Sequence, residues 1–186
     1  MKRIFDLFSC LIILFVFILP SLIICILIKL DSKGSIFFVT ERLGKDKKIF
    51  KMFKFRTMKS ETPQIHSNDL EHPEKYITTV GKYLRRYSLD ELPQLINVIT
   101  GDMAIVGPRP SLSNQIELID KRDIYNIHDL KPGITGLAQV NGRDDLSVDE
   151  KIHFDKEYRS KANLFFDFKI IIKTIKVVLN RKGISH

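Results

Sequence analysis

The sequence predicts an α+β protein, mainly α, in which a membrane-embedded N-terminal helix precedes one small domain. Three observations support this fold class. Residues 7–30 are almost unbroken in apolarity, two β-rich segments flank a turn between residues 36 and 55, and helical patterns dominate the rest. A chain of 186 residues with 44% hydrophobic content suits one modest domain with a short apolar appendage.

The apolar stretch Leu7–Leu30 is long enough to cross a bilayer, which takes roughly 20 such residues, and it is too long for a typical signal-peptide core. Pro20, followed by Ser21, lies near its middle, and proline removes one helical hydrogen bond, so we expect a kink there. Basic residues flank both ends of the stretch: Lys2, Arg3, Lys29 and Lys33. Because basic residues tend to stay cytoplasmic, this symmetry suits a segment that enters and returns on one face, although a kinked span fits the same features.

A β-hairpin is predicted next, with strands over residues 36–40 and 49–55 and a turn at 44–46. Residues 40–59 contain eight basic side chains against two acidic ones, and phenylalanines alternate with the lysines. Such a surface is commonly a solvated hairpin face. It also suits contact with anionic lipid headgroups and a phosphate, and its place directly after a membrane segment favours this second interpretation.

Helical patterns follow the hairpin. Helices are predicted over residues 77–86, 88–100, 113–122 and 148–160, with a loop over 61–75, a stiff loop over 107–110 and an irregular glycine-rich segment over 131–143. In the second of these helices, Ser88 and Glu91 have the spacing of a capping box. Pro93 is tolerated only near a helix start, so Asp90 and Glu91 are predicted to lie in the first turn.

The last predicted helix covers residues 164–181 and is amphipathic. Apolar side chains recur at three- and four-residue steps on one stripe, lysines occupy another, and Gly183 follows as a stop signal. A stripe of this kind usually packs into a protein core. In a chain with a membrane segment, it also suits a helix that lies in the bilayer interface.

The net charge of +8 indicates an anionic partner, which can be nucleic acid, anionic lipid or a phosphorylated substrate. The two cysteines, Cys10 and Cys25, both lie in the apolar stretch, and the chain has no CxxC pair, which argues against a zinc site. It also has no Walker A loop, GxGxxG, GxSxG or HExxH motif, so the nucleotide-binding and hydrolytic devices that use them are excluded.

Adjacent acids such as Asp90 and Glu91 are usually a favourable pairing with a helix dipole. Here Arg85 and Arg86 precede them by about one turn, and leucines surround them. Acids, arginines and a helix start together can hold Mg²⁺ and phosphate at one site. Because carboxylate and pyrophosphate repel each other, an acid beside a phosphate needs a metal or cations to neutralise the pair.

Arg109 lies between two prolines, which stiffen the backbone that carries it. A rigidly held guanidinium suits bidentate phosphate recognition, although an exposed arginine in a turn fits the same pattern. Gly133, Gly136 and Gly142 allow either close backbone approach to a ligand or tight turns. Arg143 ends that segment and can add a second phosphate contact.

Three motifs carry a resemblance to a known family. FKMFKFRTM, RRYSLDELPQLINVITGDMAIVGPRP and KPGITGLAQVNGR resemble, in order and spacing, the bacterial sugar transferases, and more narrowly the small monotopic phosphoglycosyl transferases. The resemblance runs to the terminal KGIS. It implies transfer of a sugar 1-phosphate from a UDP-sugar to polyprenol (undecaprenyl) phosphate, with Mg²⁺ and release of UMP. This reaction is the first membrane step of glycoconjugate assembly.

The resemblance also implies roles for residues. Asp90 would attack the β-phosphate and form a phosphosugar-aspartyl intermediate, and Glu91 would support Mg²⁺ binding beside it. The remaining residues implied in substrate or phosphate binding are Arg109, Arg85, Lys54 and Arg56, to which Arg143 is added from the sequence pattern.

The resemblance further implies a membrane arrangement. Residues 1–33 would form a re-entrant helix, and residues 34–186 a compact catalytic domain with interfacial helices on the cytoplasmic face of the bacterial inner membrane. The family breaks this helix at a Ser-Pro pair, whereas here Leu19 precedes Pro20 and serine follows as Ser21. The proline should still produce most of the break.

Two rival functions fit parts of the same pattern. A glycosyltransferase with a lipid acceptor would release UDP rather than UMP. A non-catalytic, membrane-anchored basic module would bind lipid or nucleic acid with salt-sensitive affinity and would need neither acid. The two acids within a cation-rich motif argue against that module, and we expect no nucleic-acid partner. The sequence predicts neither the sugar nor the oligomeric state.

Overall fold

The computed structural model of the chain describes residues 1–62 and 72–180. Within these ranges the protein is mostly helical with small two-stranded sheets, as the mainly α class predicts. The helices are α1 (Lys2–Asp31), α2 (Thr79–Arg86), α3 (Gln94–Thr100), α4 (Ile116–Ile124), α5 (Val148–Lys161) and α6 (Leu164–Asn180). The strands are β1 (Phe37–Leu43), β2 (Ile49–Phe55), β3 (Ala104–Val106) and β4 (Gly133–Thr135).

Helix α1 is the element of the described chain that is long and apolar enough to cross a membrane. It is continuous through Pro20 and Ser21, so no helical break is seen at the predicted position. Proline removes a single hydrogen bond, and the turns on either side of it retain theirs. A kink without loss of helical structure, and the division of the chain at residue 33, stay predictions.

Both ends of α1 pack against the rest of the chain, while most of its middle is exposed. Near its start, Cys10 is buried in the main core beside Leu95 and Val98 of α3. Near its end, Ile24 and Ile28 are buried in a second cluster with side chains of β2 and α2. Burial of apolar side chains at both ends therefore joins α1 to the domain at two separate places.

The predicted hairpin is confirmed. Strands β1 and β2 pair antiparallel, with Phe37 opposite Phe55 and Leu43 opposite Ile49. On β2, Phe50 and Met52 are buried on one face, because alternate side chains of a strand point to the same face, and Phe55 is buried on the opposite face in the second cluster. The second sheet, a parallel pair of β3 and β4, was not predicted from the sequence, since each strand has only three residues.

The helix predicted over residues 88–100 is wrong in its first half. Ser88 adopts a left-handed conformation with φ of 54°, Leu89–Glu91 form a single 3₁₀ turn, and α3 starts only after Pro93. Ser88 therefore does not cap a helix, and Asp90 and Glu91 precede α3 instead of occupying its first turn. The left-handed residue ends the helical path from α2, and the proline at the N-cap of α3 sets where the next helix can begin.

Other predicted helices differ from the structure mainly at their ends. Helix α2 begins at Thr79, because the Thr78 side chain accepts a hydrogen bond from the Gly81 amide as an N-cap. Helix α5 begins with a capping box between Ser147 and Glu150. Helix α6 is confirmed to Asn180, and the predicted stop at Gly183 and the terminal KGIS lie outside the described residues.

Candidate active site

The two acids lie in the 3₁₀ turn between α2 and α3 and are both buried. Asp90 is 9% exposed and Glu91 is 6% exposed. Four cations from separate parts of the chain act on these carboxylates: Lys54, Arg85, Arg109 and Arg143. The fold thus brings together residues up to 89 positions apart in the sequence. We call the two acids and these four cations the acid–cation cluster.

Strand β2 supplies Lys54. Its Nζ lies 2.9 Å from Glu91 Oε1 and 3.6 Å from Asp90 Oδ2. The strand is fixed to α3 by the buried Asn97, whose amide donates to the Lys51 carbonyl (2.7 Å) and accepts from the Phe53 amide (3.1 Å). Asn97 was not predicted as part of the site. A wholly buried amide needs partners, and here they are the backbone groups that place Lys54.

The loop after β3 supplies Arg109, whose Nη1 lies 3.4 Å from Glu91 Oε1. Backbone hydrogen bonds join this loop to β4 on both sides, from the Gly107 amide to the Thr135 carbonyl and from the Gly133 amide to the Pro108 carbonyl, each 2.9 Å. The stiff loop that the sequence predicts is therefore also held by its neighbours, which restricts where the arginine can reach.

Glycines in these two segments permit the close contact between them. A Cβ added to Gly107 would collide with the Lys131 carbonyl oxygen, and one added to Gly136 would collide with the Gly107 carbonyl oxygen. Of the two interpretations left open by the sequence, neither describes Gly133 and Gly136 fully. At both glycines the backbone lies against the backbone of Gly107 in the loop after β3, where a side chain would not fit.

A buried ion pair between α4 and α5 holds the backbone of the same loop at Arg109. Arg122 of α4 donates through Nη1 to the Arg109 carbonyl (2.9 Å) and through Nε and Nη2 to Asp155 Oδ2 of α5 (2.9 and 2.7 Å). Both side chains are almost fully buried. No local pattern indicated this pair, because its members are 33 residues apart on helices whose charges are typical of a solvent-exposed surface.

Arg143 approaches the acids from the segment after β4. Its Nη2 lies 3.3 Å from Glu91 Oε2, and its Nη1 donates to Ser88 Oγ at 3.0 Å. Arg143 itself has a φ of 58°, which a non-glycine residue adopts only at a cost in conformational energy. A strained backbone therefore directs this guanidinium to the acids.

The remaining predicted residues divide into two groups. Arg85 donates through Nε to Thr57 Oγ1 (2.9 Å), and its charge acts on Asp90. Arg56 is buried elsewhere and donates to the Ser32 carbonyl (2.8 Å) and the Lys33 carbonyl (2.6 Å) at the end of α1. The structure thus brings Arg85 to the acids, whereas Arg56 holds the end of α1.

The two carboxylates have opposite titration behaviour. Burial raises the pKa of Asp90, Lys54 acts to lower it, and the neighbouring charge of Glu91 raises it further. Burial also acts to raise the pKa of Glu91, but Lys54, Arg143 and Arg109 outweigh it and hold that pKa well below its usual range. Glu91 is therefore a permanent anion that organises the cations, while Asp90 is the more basic carboxylate.

The donor set bears on whether a divalent cation can bind. Among the described residues, no group of three or more His, Cys, Asp or Glu side chains converges on one point. Mg²⁺ is often held by one or two carboxylates together with substrate phosphates. The adjacent carboxylates of Asp90 and Glu91 fit that requirement, and the four cations against two carboxylates leave a net charge of +2 for an anionic substrate.

Comparisons with known proteins identify what this chain is similar to. A family model described as bacterial sugar transferase matches residues 1–181. The exopolysaccharide production protein ExoY of Rhizobium meliloti is 36% identical over 98% of this chain and 87% of its own length. The undecaprenyl-phosphate galactose phosphotransferase of Salmonella typhimurium is 37% identical over 98% of this chain and 41% of its own length.

A third relative is the UDP-glucose:undecaprenyl-phosphate glucose-1-phosphate transferase of Escherichia coli. It is 41% identical over 82% of this chain and 34% of its own length. This chain therefore spans most of ExoY but less than half of the two phosphotransferases.

Proposed function

Because the chain belongs to the bacterial sugar transferase family, as its motifs predicted, we propose that it transfers a sugar 1-phosphate from a UDP-sugar to polyprenol phosphate and releases UMP. The observation that carries this proposal is the acid–cation cluster, in which two buried carboxylates meet four cations. Cations in excess of carboxylates suit a diphosphate, and a buried carboxylate suits attack on phosphorus.

In the proposed reaction, Asp90 is the nucleophile. One carboxylate oxygen of Asp90 forms a bond to the β-phosphorus, the bond from that phosphorus to the bridging oxygen breaks, and UMP leaves with the electron pair. An oxygen of polyprenol phosphate then attacks the same phosphorus and releases the Asp90 carboxylate. A raised pKa supports this role, since a more basic carboxylate is a better nucleophile once it is ionised.

The neighbouring charges would stabilise the phosphates during both steps. Lys54, Arg109 and Arg143 all contact Glu91, and ammonium and guanidinium groups of this kind bind phosphate oxygens through N–H donors. Asp90 and Glu91 would hold Mg²⁺ together with the diphosphate, and the ion would neutralise part of its negative charge. The positive charge of Arg85, which lies on α2, would favour the ionised form of the Asp90 carboxylate.

The contacts of α1 with the domain support a position at the membrane surface, where a soluble UDP-sugar and a lipid phosphate are both accessible. Lys2 at the start of α1 bonds to Asp167 of α6 (2.6 Å), and Asp31 at its end accepts from the Val80 amide of α2 (2.8 Å). Two ends fixed to one domain support a re-entrant helix more than a span whose ends lie on opposite faces. We place the domain on the cytoplasmic face of the inner membrane, at the first membrane step of glycoconjugate assembly.

Helix α6 supports the same arrangement. Its exposed side includes Phe165, Phe168, Ile172, Ile175 and Leu179. Apolar side chains in such a row, with lysines beside them, suit an interfacial helix among anionic lipid headgroups.

The reaction can be tested with purified protein, Mg²⁺, undecaprenyl phosphate and a panel of UDP-sugars. We expect UMP as the nucleotide product with at least one sugar. Release of UDP would instead identify a glycosyltransferase, and binding to anionic vesicles without any nucleotide product would identify a non-catalytic module. Omission of Mg²⁺ should reduce turnover if the acids hold it with the diphosphate.

The covalent intermediate provides the first residue-level prediction. Asp90→Asn should lose transfer by roughly 10³-fold or more, because the amide is a poor nucleophile, and it should trap no labelled sugar phosphate on the protein. Asp102→Asn is the matched control, since Asp102 is an exposed acid that bonds to Thr100 outside the acid–cation cluster. An Asp90→Asn protein with normal turnover would rule out this nucleophile.

A further inference from the structure

Ser88 and Arg143 are two strained residues that contact each other beside the acids. Both have left-handed backbone conformations, with φ of 54° and 58°, and neither is a glycine. Such conformations persist only where the surrounding structure requires them, and they concentrate at functional sites. The Arg143 guanidinium donates through Nη1 to Ser88 Oγ at 3.0 Å.

The backbone of Ser88 is held without any help from its hydroxyl. The Ser88 amide donates to the Arg85 carbonyl (3.0 Å), and the Glu91 amide donates to the Ser88 carbonyl (3.3 Å). The side chain makes no helix-capping hydrogen bond. The contact that the structure gives the hydroxyl is therefore with Arg143, and the turn that carries the acids does not depend on it.

The two ends of the Arg143 guanidinium are thereby fixed by different partners. Nη1 reaches the Ser88 hydroxyl, and Nη2 lies 3.3 Å from Glu91 Oε2. A guanidinium is planar with five N–H donors, so two contacts at its two Nη atoms define both its position and its plane. Within the described residues the guanidinium makes no further hydrogen bond, so its remaining donors are available for a ligand.

We infer that Ser88 is a positioning residue, whose hydroxyl orients the Arg143 guanidinium so that its remaining N–H donors bind the diphosphate of a nucleoside diphosphate sugar. This role rests on the proposed function, because it assumes that such a substrate occupies the acid–cation cluster. Glu91 alone would fix one end of the guanidinium and leave its plane free to rotate.

Two substitutions separate the hydroxyl from the backbone strain. Ser88→Ala and Ser88→Gly both remove the hydroxyl, but glycine adopts a φ of 54° without strain, whereas alanine does not. We expect both variants to lose roughly tenfold in UDP-sugar affinity and in kcat/KM for transfer, as is typical of a lost hydrogen bond to a charged group. Thermal unfolding should show Ser88→Gly to be the more stable of the two.

A double-mutant cycle tests whether the effect passes through Arg143. In an Arg143→Ala background, Ser88→Gly should change UDP-sugar affinity by less than about twofold, because the group that it positions is gone. An unchanged tenfold loss in that background would overturn the inference. Wild-type affinity and transfer in Ser88→Gly, with a loss confined to Ser88→Ala, would overturn it as well, since strain alone would then explain the effect.

Isothermal titration with UDP-sugar and the UMP assay together separate this inference from the proposed function. A wild-type protein that binds UDP-sugar but releases no UMP would overturn the proposed reaction, and the titrations would still decide the role of Ser88. A wild-type protein that transfers normally, with Ser88→Gly equal to it, would overturn the Ser88 role alone. A wild-type protein that neither binds nor transfers would overturn both.

Discussion

At the scale of single residues, adjacent carboxylates acquire opposite properties from their surroundings. Asp90 and Glu91 have similar burial, yet three cations lie within 3.4 Å of Glu91, whereas Lys54 Nζ is 3.6 Å from Asp90. Glu91 is thereby stabilised as an anion, and Asp90 remains the carboxylate that is costly to ionise. Pairs of acids with separated pKa values are typical of sites where each acid has its own task.

This difference predicts opposite effects on stability. The folded-state pKa of Asp90 is raised, so its contribution to stability is present below the unfolded pKa and is lost as pH rises through the folded pKa. The pKa of Glu91 is depressed, so its contribution is present above the unfolded pKa and is lost as pH falls toward the folded one. At pH 7, Asp90→Asn should therefore raise the unfolding temperature, and Glu91→Gln should lower it by roughly 5 °C.

Thermal unfolding of both variants at pH 7 and pH 4 measures this prediction. At pH 4 the Asp90→Asn protein should approach the wild type, because the raised pKa of Asp90 lets the folded protein take up that proton. The Glu91→Gln protein should stay destabilised at pH 4, because the lowered pKa of Glu91 keeps its carboxylate ionised there. Destabilisation of equal size by both substitutions at pH 7 would contradict the assignment of separate roles.

At the scale of elements, helices α4 and α5 act on the site without supplying a residue to it. Their ion pair, Arg122 with Asp155, reaches the backbone of Arg109 through one hydrogen bond. Burial raises the pKa of Asp155 while Arg122 acts to lower it, so the pair is costly to bury and depends on both members.

Removal of one member should therefore be strongly destabilising. Asp155→Ala would leave Arg122 buried without its carboxylate, and we expect a loss of about 3–5 kcal/mol in the free energy of unfolding. Asp149→Ala on the same helix is the matched control, because Asp149 pairs with Lys121 at the exposed surface, and it should change stability by less than about 1 kcal/mol. Denaturant unfolding of both proteins gives the comparison. An equal loss in the free energy of unfolding in both variants would contradict a larger contribution from the buried pair.

At the scale of the whole molecule, α1 is both the apolar helix proposed to lie in the membrane and part of the domain core. Its first turn bonds to α6 and to the Val106 carbonyl of β3, directly before the loop of Arg109. Its end is held by Arg56 and by the amide of Val80. The proposed membrane contact and the geometry of the site therefore depend on one helix.

This arrangement predicts that both ends of α1 lie on the same side of the membrane. A cysteine added before Met1 and a Lys33→Cys substitution, each in a background with Cys10 and Cys25 replaced by alanine, should react with a membrane-impermeant reagent from the same face. A cysteine at position 45, in the turn of the hairpin, is the control for the face of the domain. Labelling of the two ends from opposite faces would rule out the re-entrant helix.

Several features of this protein were determined by its sequence alone. The apolar stretch, the hairpin and helices α2, α5 and α6 follow from local periodicity, which a short window of residues contains. The acids, Arg85, Arg109, Arg143 and Lys54 were identified by resemblance and by residue type, and the structure brings these residues together. The helix start at Ser88 was wrong, because a capping spacing is also compatible with a left-handed residue followed by a 3₁₀ turn, whereas Pro93 does lie at a helix start.

Only the tertiary structure decided how these residues are held. Asn97, the pair of Arg122 and Asp155, and the Ser88 hydroxyl act through partners 33 to 55 positions away, and no local pattern contains such a distance. Arg56 shows the same limit, because its motif suggests a phosphate contact, whereas the structure buries it against the end of α1. The sequence determines which groups are available, and the packing of buried polar groups, each of which needs a partner, decides which of them meet at the acid–cation cluster.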